Sequence, residues 1–216
     1  MIKAIATFHI WRPGNTIHIS QLETQIPSEL LLEITLGPPL MLALALHASA
    51  ALDPAGNLLL FAGESGRGKS TLARYLGQQP GWRRVADDIL PVEAQADGLI
   101  ALPHFPQLKI PADRQPSVGL PQRLPVSALY LLGDAAPDVR VAALSPLEGA
   151  FGLIRHTVAS RLFDRPLLAQ HMEFARTAAL RLPVRRLHYP RRLDALPGVQ
   201  EALLADVQST HTNRER

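Results

Sequence analysis

The sequence predicts an α/β fold, in which a mixed β-sheet with flanking helices surrounds a glycine-rich loop. Three observations support this: an apolar run of strand length leads into a glycine-rich loop and a helical segment, short strand-like segments alternate with Pro and Gly, and the last third has helical periodicity. The 216 residues, 47% of them hydrophobic, suffice to bury a core. We expect a single domain over 1–208, with a β-rich part at 1–46, a nucleotide-binding core and C-terminal helices at 47–208, and a flexible tail at 209–216.

The composition excludes several classes of function. Without cysteine, the chain has no disulfide, thiolate nucleophile or Cys-type metal centre, which fits a cytoplasmic protein. A net charge of +3, no dense basic run and 5% aromatic residues argue against a nucleic-acid partner. The uninterrupted apolar stretch Leu40–Leu46 predicts a buried strand or short buried helix, and is far shorter than the roughly 20 residues that span a bilayer.

The first half of the chain has the pattern of β structure. Partly alternating residues at 2–6 and 16–19 predict two strands joined by a turn at 13–15. A turn at 53–57 precedes Leu58–Ala62, an apolar run with the length of a buried strand. Further short strands are predicted at 30–36, 84–86, 89–92, 99–102, 108–110, 128–132 and 184–189.

Helices are expected after the glycine-rich loop and in the last third. The first covers Lys69–Leu76 and ends at Gly77, a residue suited to a C-terminal cap. Ser145 begins a second helix with a capping-box spacing, and its apolar face is predicted to contain Leu147, Phe151, Ile154 and Val158. A third is capped by Asp164, and a closing helix covers 199–207. The stripe predicted on the third helix is Leu167, Leu168, His171, Met172, Ala175 and Ala179.

Residues 63–70 read GESGRGKS and match the phosphate-loop (Walker A) pattern at every fixed position. Glycines let successive backbone N–H groups turn towards phosphate oxygens, and the helix N-terminus adds its positive dipole end. Lys69 is expected to reach the β- and γ-phosphates, and Ser70 to offer its hydroxyl to Mg²⁺. The predicted ATP-binding set is Gly63, Ser65, Gly66, Arg67, Gly68, Lys69, Ser70 and Thr71.

Two adjacent carboxylates follow the next predicted strand. Asp87 lies 18 positions after Lys69, and Asp88 follows it. If this strand lies near the phosphate loop, one carboxylate can hold Mg²⁺ while the other accepts a proton from an attacking hydroxyl. The alternative is a solvated turn at the end of a strand.

The combination of His47, the loop and the close Asp-Asp pair resembles the C-terminal domain of the HPr kinase/phosphorylase family. It is most similar to the small HPr kinase-like proteins found with lasso peptide biosynthesis genes. The specific similarity covers 47–93. It implies a phosphoenolpyruvate-carboxykinase-like core and ATP-dependent transfer to a Ser hydroxyl of a peptide or small protein, plausibly a lasso-type precursor peptide. It also implies a homo-oligomer, since the family is often oligomeric.

The resemblance assigns roles to individual residues. It places His47 beside the catalytic acid, Asp87 as the base that acts on the hydroxyl, and Asp88 as the neighbouring metal-linked carboxylate. Lys69 and Ser70 match the loop lysine and the Mg²⁺ ligand. The family's glycine-rich signature for phosphorolysis is not found after Asp88. Its catalytic arginine has no anchoring motif either, and Arg114, Arg123 and Arg155 are the candidates.

Other polar residues are given structural interpretations. Lys109 is read as an outward residue of an edge strand, with phosphate neutralisation as the alternative. His171 is expected in the core and Glu173 on the surface, while Arg155 and His156 favour a helix dipole, although His156 can reach a site. The arginines at 185–186 and 191–192 form the densest basic cluster, read as solvated, with docking of an acidic peptide as the alternative.

Three functions compete at this point. The first is the kinase with a peptide substrate, or an HPr-type carrier-protein serine kinase. The second is a transport-type ATPase subunit, which needs a downstream signature motif that the sequence lacks. The third is a regulator that binds nucleotide without turnover, against which the intact Lys69, Ser70 and Asp87 argue.

Overall fold

The computed structural model describes residues 6–11, 16–21, 45–95, 97–104, 119–158, 163 and 165–214. The strands predicted at 30–36 and 108–110, with Lys109, Arg114 and Asp164, lie outside these ranges.

Eleven strands and four α-helices make up the described chain. The strands are β1 (Ala6–Trp11), β2 (Thr16–Gln21), β3 (Ala45–Leu46), β4 (Ala48–Leu52), β5 (Leu58–Ala62), β6 (Arg83–Ala86), β7 (Leu90–Gln95), β8 (Gly98–Ala101), β9 (Leu124–Leu132), β10 (Arg140–Ala143) and β11 (Val184–His188). The helices are α1 (Lys69–Leu76), α2 (Pro146–Arg155), α3 (Arg165–Arg181) and α4 (Leu196–Arg214), with a 3-10 turn at Leu193–Ala195. No helix in the described ranges is long and apolar enough to cross a membrane.

The predicted mixed sheet with flanking helices is confirmed. Strands β1 and β2 form an antiparallel pair, and the other nine form one sheet. Seven of the nine follow the path β3-β7-β8-β9-β5-β4-β6, while β11 pairs with β9 beside this path and β10 pairs with β11. Strand β9 is a branch point, because it pairs with β5 on one edge and with both β8 and β11 on the other. Residues 2–5 of the predicted first strand lie outside the described ranges, and β10 was not predicted.

The strand directions bring several chain segments to one edge of the sheet. β5, β9 and β11 are parallel, and β4 is antiparallel to both β5 and β6, so β6 runs in the direction of β5. The carboxyl ends of β5, β6 and β9 and the beginning of β4 therefore meet at the same edge. The residues that follow β5 and β6, and His47 before β4, are all located there.

Helices cover both faces of the sheet. Along β5, Leu58 and Leu60 belong to the core beneath α2 and α3, whereas Leu59 and Phe61 pack with α1 and α4. Successive side chains of a strand point to opposite faces, so a strand covered on both sides is apolar throughout. This is why β5 is a continuous apolar run.

The α1 boundaries are confirmed, and those of the later helices differ in part. α1 runs from Lys69 to Leu76 and is followed by Gly77, as predicted. The capping box at Ser145 is present, with Pro146 in the first turn. α4 starts at Leu196 and continues to Arg214, so helix extends six residues into the segment predicted as a tail.

The predicted apolar face of α2 is correct only in part, since Ile154 alone of its α2 residues packs against the core. Leu147 and Phe151 are 67% and 62% exposed, while Gly149, Gly152 and Leu153 are buried. A Cβ on Gly149 would lie 3.0 Å from Val184 Cγ2, and one on Gly152 would collide with the Leu131 side chain. Close approach of the helix backbone to the sheet therefore replaces packing of large side chains, and it leaves Leu147 and Phe151 at the surface.

The predicted stripe on α3 is correct only in part. His171, Ala175 and Ala179 are buried, but Leu168 and Met172 are largely exposed. Phe174 and Ala178 complete the buried face instead. The buried face of the helix is thus rotated from the predicted stripe.

Candidate functional site

The glycine-rich loop connects β5 to α1 at the shared edge of the sheet. Gly66 and Gly68 have φ angles of 78° and 90°, a left-handed region that favours glycine. A Cβ on Gly68 would lie 2.8 Å from Tyr189 Oη, so this glycine is also required for close packing. The loop conformation is therefore set by backbone freedom at two positions.

Lys69 is buried at the first position of α1. Only 6% of the residue is exposed, and Nζ donates hydrogen bonds to the carbonyl oxygens of Gly63 at 2.7 Å and Glu64 at 3.0 Å. The ammonium group is thus held inside the curve of the loop.

One cavity, which we call the loop cavity, has a volume of about 220 Å³. Its walls contain six of the eight residues in the predicted ATP-binding set: Ser65, Gly66, Gly68, Lys69, Ser70 and Thr71. His47 and Asp88 complete the lining. The structure therefore brings four of the predicted site side chains together: His47, Lys69, Ser70 and Asp88.

Asp88 and His47 form a pair at the mouth of the loop cavity. His47 Nε2 lies 2.9 Å from Asp88 Oδ1, and the side chains are 42% and 32% exposed. Asp88 has a φ of 93°, which is uncommon for a residue with a side chain and is found most often at functional sites. This backbone geometry turns the Asp88 side chain away from the direction of the Asp87 side chain.

Asp87 is placed differently. It is only 5% exposed, and its carboxylate accepts a hydrogen bond from Ser49 Oγ on β4 at 2.8 Å and pairs with Arg84 on β6. It is not among the residues that line the loop cavity. The assignment of Asp87 as the base stays a prediction. Its contacts with Ser49 and Arg84 connect β4 and β6 near the site.

A second cavity, the α2 cavity, has a volume of about 390 Å³. It extends from Gly63 and Glu64 across the end of β9 to the exposed face of α2. Gly63 and Arg67, the two remaining residues of the predicted ATP-binding set, line this cavity instead of the loop cavity. The two cavities therefore share the glycine-rich loop as a wall.

His156 lines the α2 cavity just beyond the end of α2. Burial lowers its pKa to about 4, and the nearby charges of Lys69, Arg155 and His47 act in the same direction. Its carbonyl oxygen accepts a hydrogen bond from the backbone N–H of His47 at 2.7 Å. His156 is therefore a neutral imidazole that connects the walls of the two cavities.

The arginine candidates are separated in the fold. Arg123 pairs with Glu93 at 2.6 Å and lines neither cavity, whereas Arg155 pairs with Glu64 and lines the α2 cavity. The basic cluster at 185–186 and 191–192 is divided between different contacts. Arg185 pairs with Asp206, Arg186 lines the α2 cavity, Arg191 stacks on Tyr189 and donates to Gly133 O, and Arg192 pairs with Asp194.

Sequence reasoning did not identify Arg84 as the partner of Asp87, and it placed Arg191 in the basic cluster without predicting that it packs against the loop through Tyr189. A separation of three residues is the only signal for Arg84. None was available for Arg191, because its contact with Gly133 joins residues 58 positions apart.

The loop cavity has donors suited to Mg²⁺ with a nucleotide. Ser70 and Asp88 supply a hydroxyl and a carboxylate oxygen on one cavity, and Mg²⁺ is typically held by one or two such ligands plus substrate phosphates. The described residues contain no cluster of three or more His, Cys, Asp or Glu that would hold a metal alone. The donor set therefore fits a metal that enters with the phosphates.

No family model matches the chain, and no curated protein matches its sequence. Among solved structures, the chain is similar to the Hpr(Ser) kinase/phosphatase from Coxiella burnetii, with 15% sequence identity and a TM-score of 0.44 over 79% of this chain and 94% of that chain.

Proposed function

We propose that the protein is an ATP-dependent kinase that transfers the γ-phosphoryl group to a Ser hydroxyl of a peptide or small protein. The observation that carries this proposal is the lining of the loop cavity. Lys69, the Ser70 hydroxyl and the His47–Asp88 pair line it together with the glycine-rich loop. A loop that binds phosphates and a carboxylate that faces them are the main components of phosphoryl transfer.

The chain's own groups bind and orient the nucleotide in this proposal. N–H groups of the loop donate to phosphate oxygens, and Lys69 exchanges its carbonyl partners for the β- and γ-phosphates. Thr71 lies in the same wall, in the first turn of α1. When bound through Ser70 and the phosphates, Mg²⁺ would neutralise charge on the phosphate oxygens, and the Asp88 carboxylate would act on the acceptor instead.

The transfer step assigns a role to Asp88. As the Ser oxygen attacks the γ-phosphorus, the Asp88 carboxylate accepts the hydroxyl proton, and His47 holds that carboxylate in place through its 2.9 Å contact. The bond from the γ-phosphorus to the bridging oxygen breaks, and ADP leaves with the electron pair. A loose transition state depends more on positioning and charge neutralisation than on a strong base.

The acceptor class comes from the family resemblance. Family members phosphorylate Ser, and the similarity to proteins of lasso peptide biosynthesis makes a precursor peptide the first acceptor to test, with an HPr-type carrier protein as the alternative. A cytoplasmic location and a homo-oligomeric state belong to the same proposal.

The test combines labelled ATP with the peptides encoded beside the gene and with an HPr-type carrier protein. We expect one acceptor to be phosphorylated on Ser, as located by mass spectrometry. Asp88→Asn should lower transfer about 100-fold while ATP still binds. Asp97→Asn is the matched control, because Asp97 is exposed and lines neither cavity.

The opposite result is equally clear. If no acceptor is modified, and the wild type and Asp88→Asn hydrolyse ATP at the same rate, the kinase proposal fails. An ATPase or a nucleotide-binding regulator would then take its place.

A further inference from the structure

The α2 cavity contains an arginine, Arg186, that has no ion pair within the described residues and acts on Glu148 only through its charge. Arg186 lines it and is half-buried, and its side chain forms no ion pair or hydrogen bond among the described residues. A partly desolvated guanidinium loses hydration that an anionic ligand can replace, and a carboxylate fits its donors in a bidentate manner. The cavity thus presents a cation suited to a carboxylate.

Strand alternation explains why this arginine differs from its neighbour. Arg185 points to the α4 face of the sheet, where its Nε lies 3.1 Å from Asp206 Oδ1. Arg186 lies on the opposite face with the buried Val184, beneath α2. The adjacent arginines therefore have separate roles, one in an ion pair and one at a cavity.

The other charges of the cavity already have partners. Arg67 pairs with Asp134 at 2.5 Å, and Arg155 pairs with Glu64. Glu148 is exposed and caps α2, and its pKa is lowered first by hydrogen bonds from Ser145 and only after these by Arg186. Arg186 is thus the cation that remains for a ligand.

The cavity is also next to the groups that would hold the transferred phosphate. Glu64 lines it, and the Glu64 carbonyl accepts a hydrogen bond from Lys69 Nζ at 3.0 Å. On the far wall, Phe151 lines the cavity and is 62% exposed, beside Leu147 on the same helix face. A ligand there would contact an apolar surface and a cation within reach of the glycine-rich loop.

We propose that the α2 cavity binds the acceptor peptide, and that Arg186 selects peptides with an acidic side chain near the phosphorylated Ser. Phe151 provides the wall against which an apolar side chain of the peptide packs. This inference rests on the proposed kinase function and specifies the chemistry of its substrate.

The experiment uses two sets of fluorescent Ser peptides, with Asp or Asn at each flanking position in turn. Binding is measured by polarisation in the presence of a non-hydrolysable ATP analogue, and transfer is measured separately with ATP. We expect the wild type to bind the best Asp peptide about tenfold more tightly than its Asn counterpart, as for a partly buried charge pair. Arg186→Gln should abolish that preference through KM, with little change in kcat.

Two further variants distinguish a loss of peptide preference from misfolding of the variant protein. Arg186→Glu should shift the preference to peptides with Lys at the selected position, a gain that an unfolded protein cannot show. Arg140→Gln removes an exposed arginine of β10, which does not line the α2 cavity, and should keep the wild-type preference. Melting temperatures identify any variant that is destabilised.

The outcomes separate this inference from the proposed function. Transfer without an acidic preference, or an acidic preference that survives in Arg186→Gln, overturns the inference and leaves the kinase in place. If acidic peptides bind in an Arg186-dependent manner but are not phosphorylated, the peptide-binding role of the α2 cavity stands and the kinase function is rejected. If the peptides are neither bound nor phosphorylated, both proposals are rejected. If Arg186→Gln weakens ATP binding as much as peptide binding, the cavity belongs to the nucleotide and the inference fails.

Discussion

The two cavities that share the glycine-rich loop are constructed in different ways. The loop cavity is formed mostly by six residues of one short segment, 65–66 and 68–71, with His47 and Asp88 added from neighbouring strand ends. The α2 cavity is assembled from the loop, β9, α2 and β11, and its lining contains three arginines and three carboxylate residues. We therefore expect substitutions in the loop cavity to change mainly the rate of phosphoryl transfer. Substitutions in the α2 cavity should change mainly packing, charge and peptide selectivity.

The largest expected effect is at Lys69. Lys69→Ala removes the cation inside the loop and should reduce phosphoryl transfer by about 10²–10³-fold, as for a group that stabilises transition-state charge. Arg74→Ala is the control, because Arg74 is exposed on the same helix. Transfer rates and melting temperatures are measured for both, and undiminished transfer in Lys69→Ala would show that the loop is not the site.

Substitutions of the two adjacent carboxylates should have different effects, one on the transfer rate and the other on stability. Asp88→Asn should lower transfer about 100-fold with an unchanged melting temperature, since Asp88 faces the cavity. Asp87→Asn disturbs buried contacts with Ser49 and Arg84 and should cost about 1–3 kcal/mol of unfolding free energy. Denaturant unfolding and kinase assays distinguish them, and the reverse pattern would favour Asp87 as the base.

The packing of α2 should depend on glycine more than on its large apolar residues. Gly152→Ala places a methyl group against Leu131 and should cost about 1–3 kcal/mol through overpacking. Phe151→Ala, at an exposed position, should change stability by less than about 0.5 kcal/mol. Equal losses in the two variants would contradict the observed orientation of the helix.

The smallest effect concerns pH and His156. Its folded-state pKa of about 4 lies below the ordinary 6.5, so below pH 6.5 the unfolded chain binds a proton that the folded protein does not. Stability should fall as the pH decreases from about 6.5 to about 4, by an amount on the order of 1–2 kcal/mol after allowance for partial exposure. His156→Gln should flatten this part of the stability profile.

Buried His171 contributes to the same profile with the same sign, because burial lowers its pKa too. The pH dependence that remains in His156→Gln should therefore disappear in the double variant with His171→Phe. A wild-type stability that is constant over this pH range would exclude both effects.

Local features of the sequence determined much of this protein. The Leu58–Ala62 strand, the Lys69–Leu76 helix with Gly77 after it, and the Ser145 capping box were all predicted from neighbouring residues, because turns, caps and apolar runs depend on backbone conformation within a few positions. The same holds for the loop cavity, most of which is one continuous segment.

Tertiary structure alone decided how those elements face one another. The glycines of α2 approach the sheet closely and turn Phe151 outwards, although hydrophobicity favours the opposite orientation. The direction of β6 and the positive φ of Asp88 separate two adjacent carboxylates, and strand alternation separates Arg185 from Arg186. These outcomes depend on contacts between residues far apart in the chain, and no local pattern of residue types encodes the geometry of such contacts.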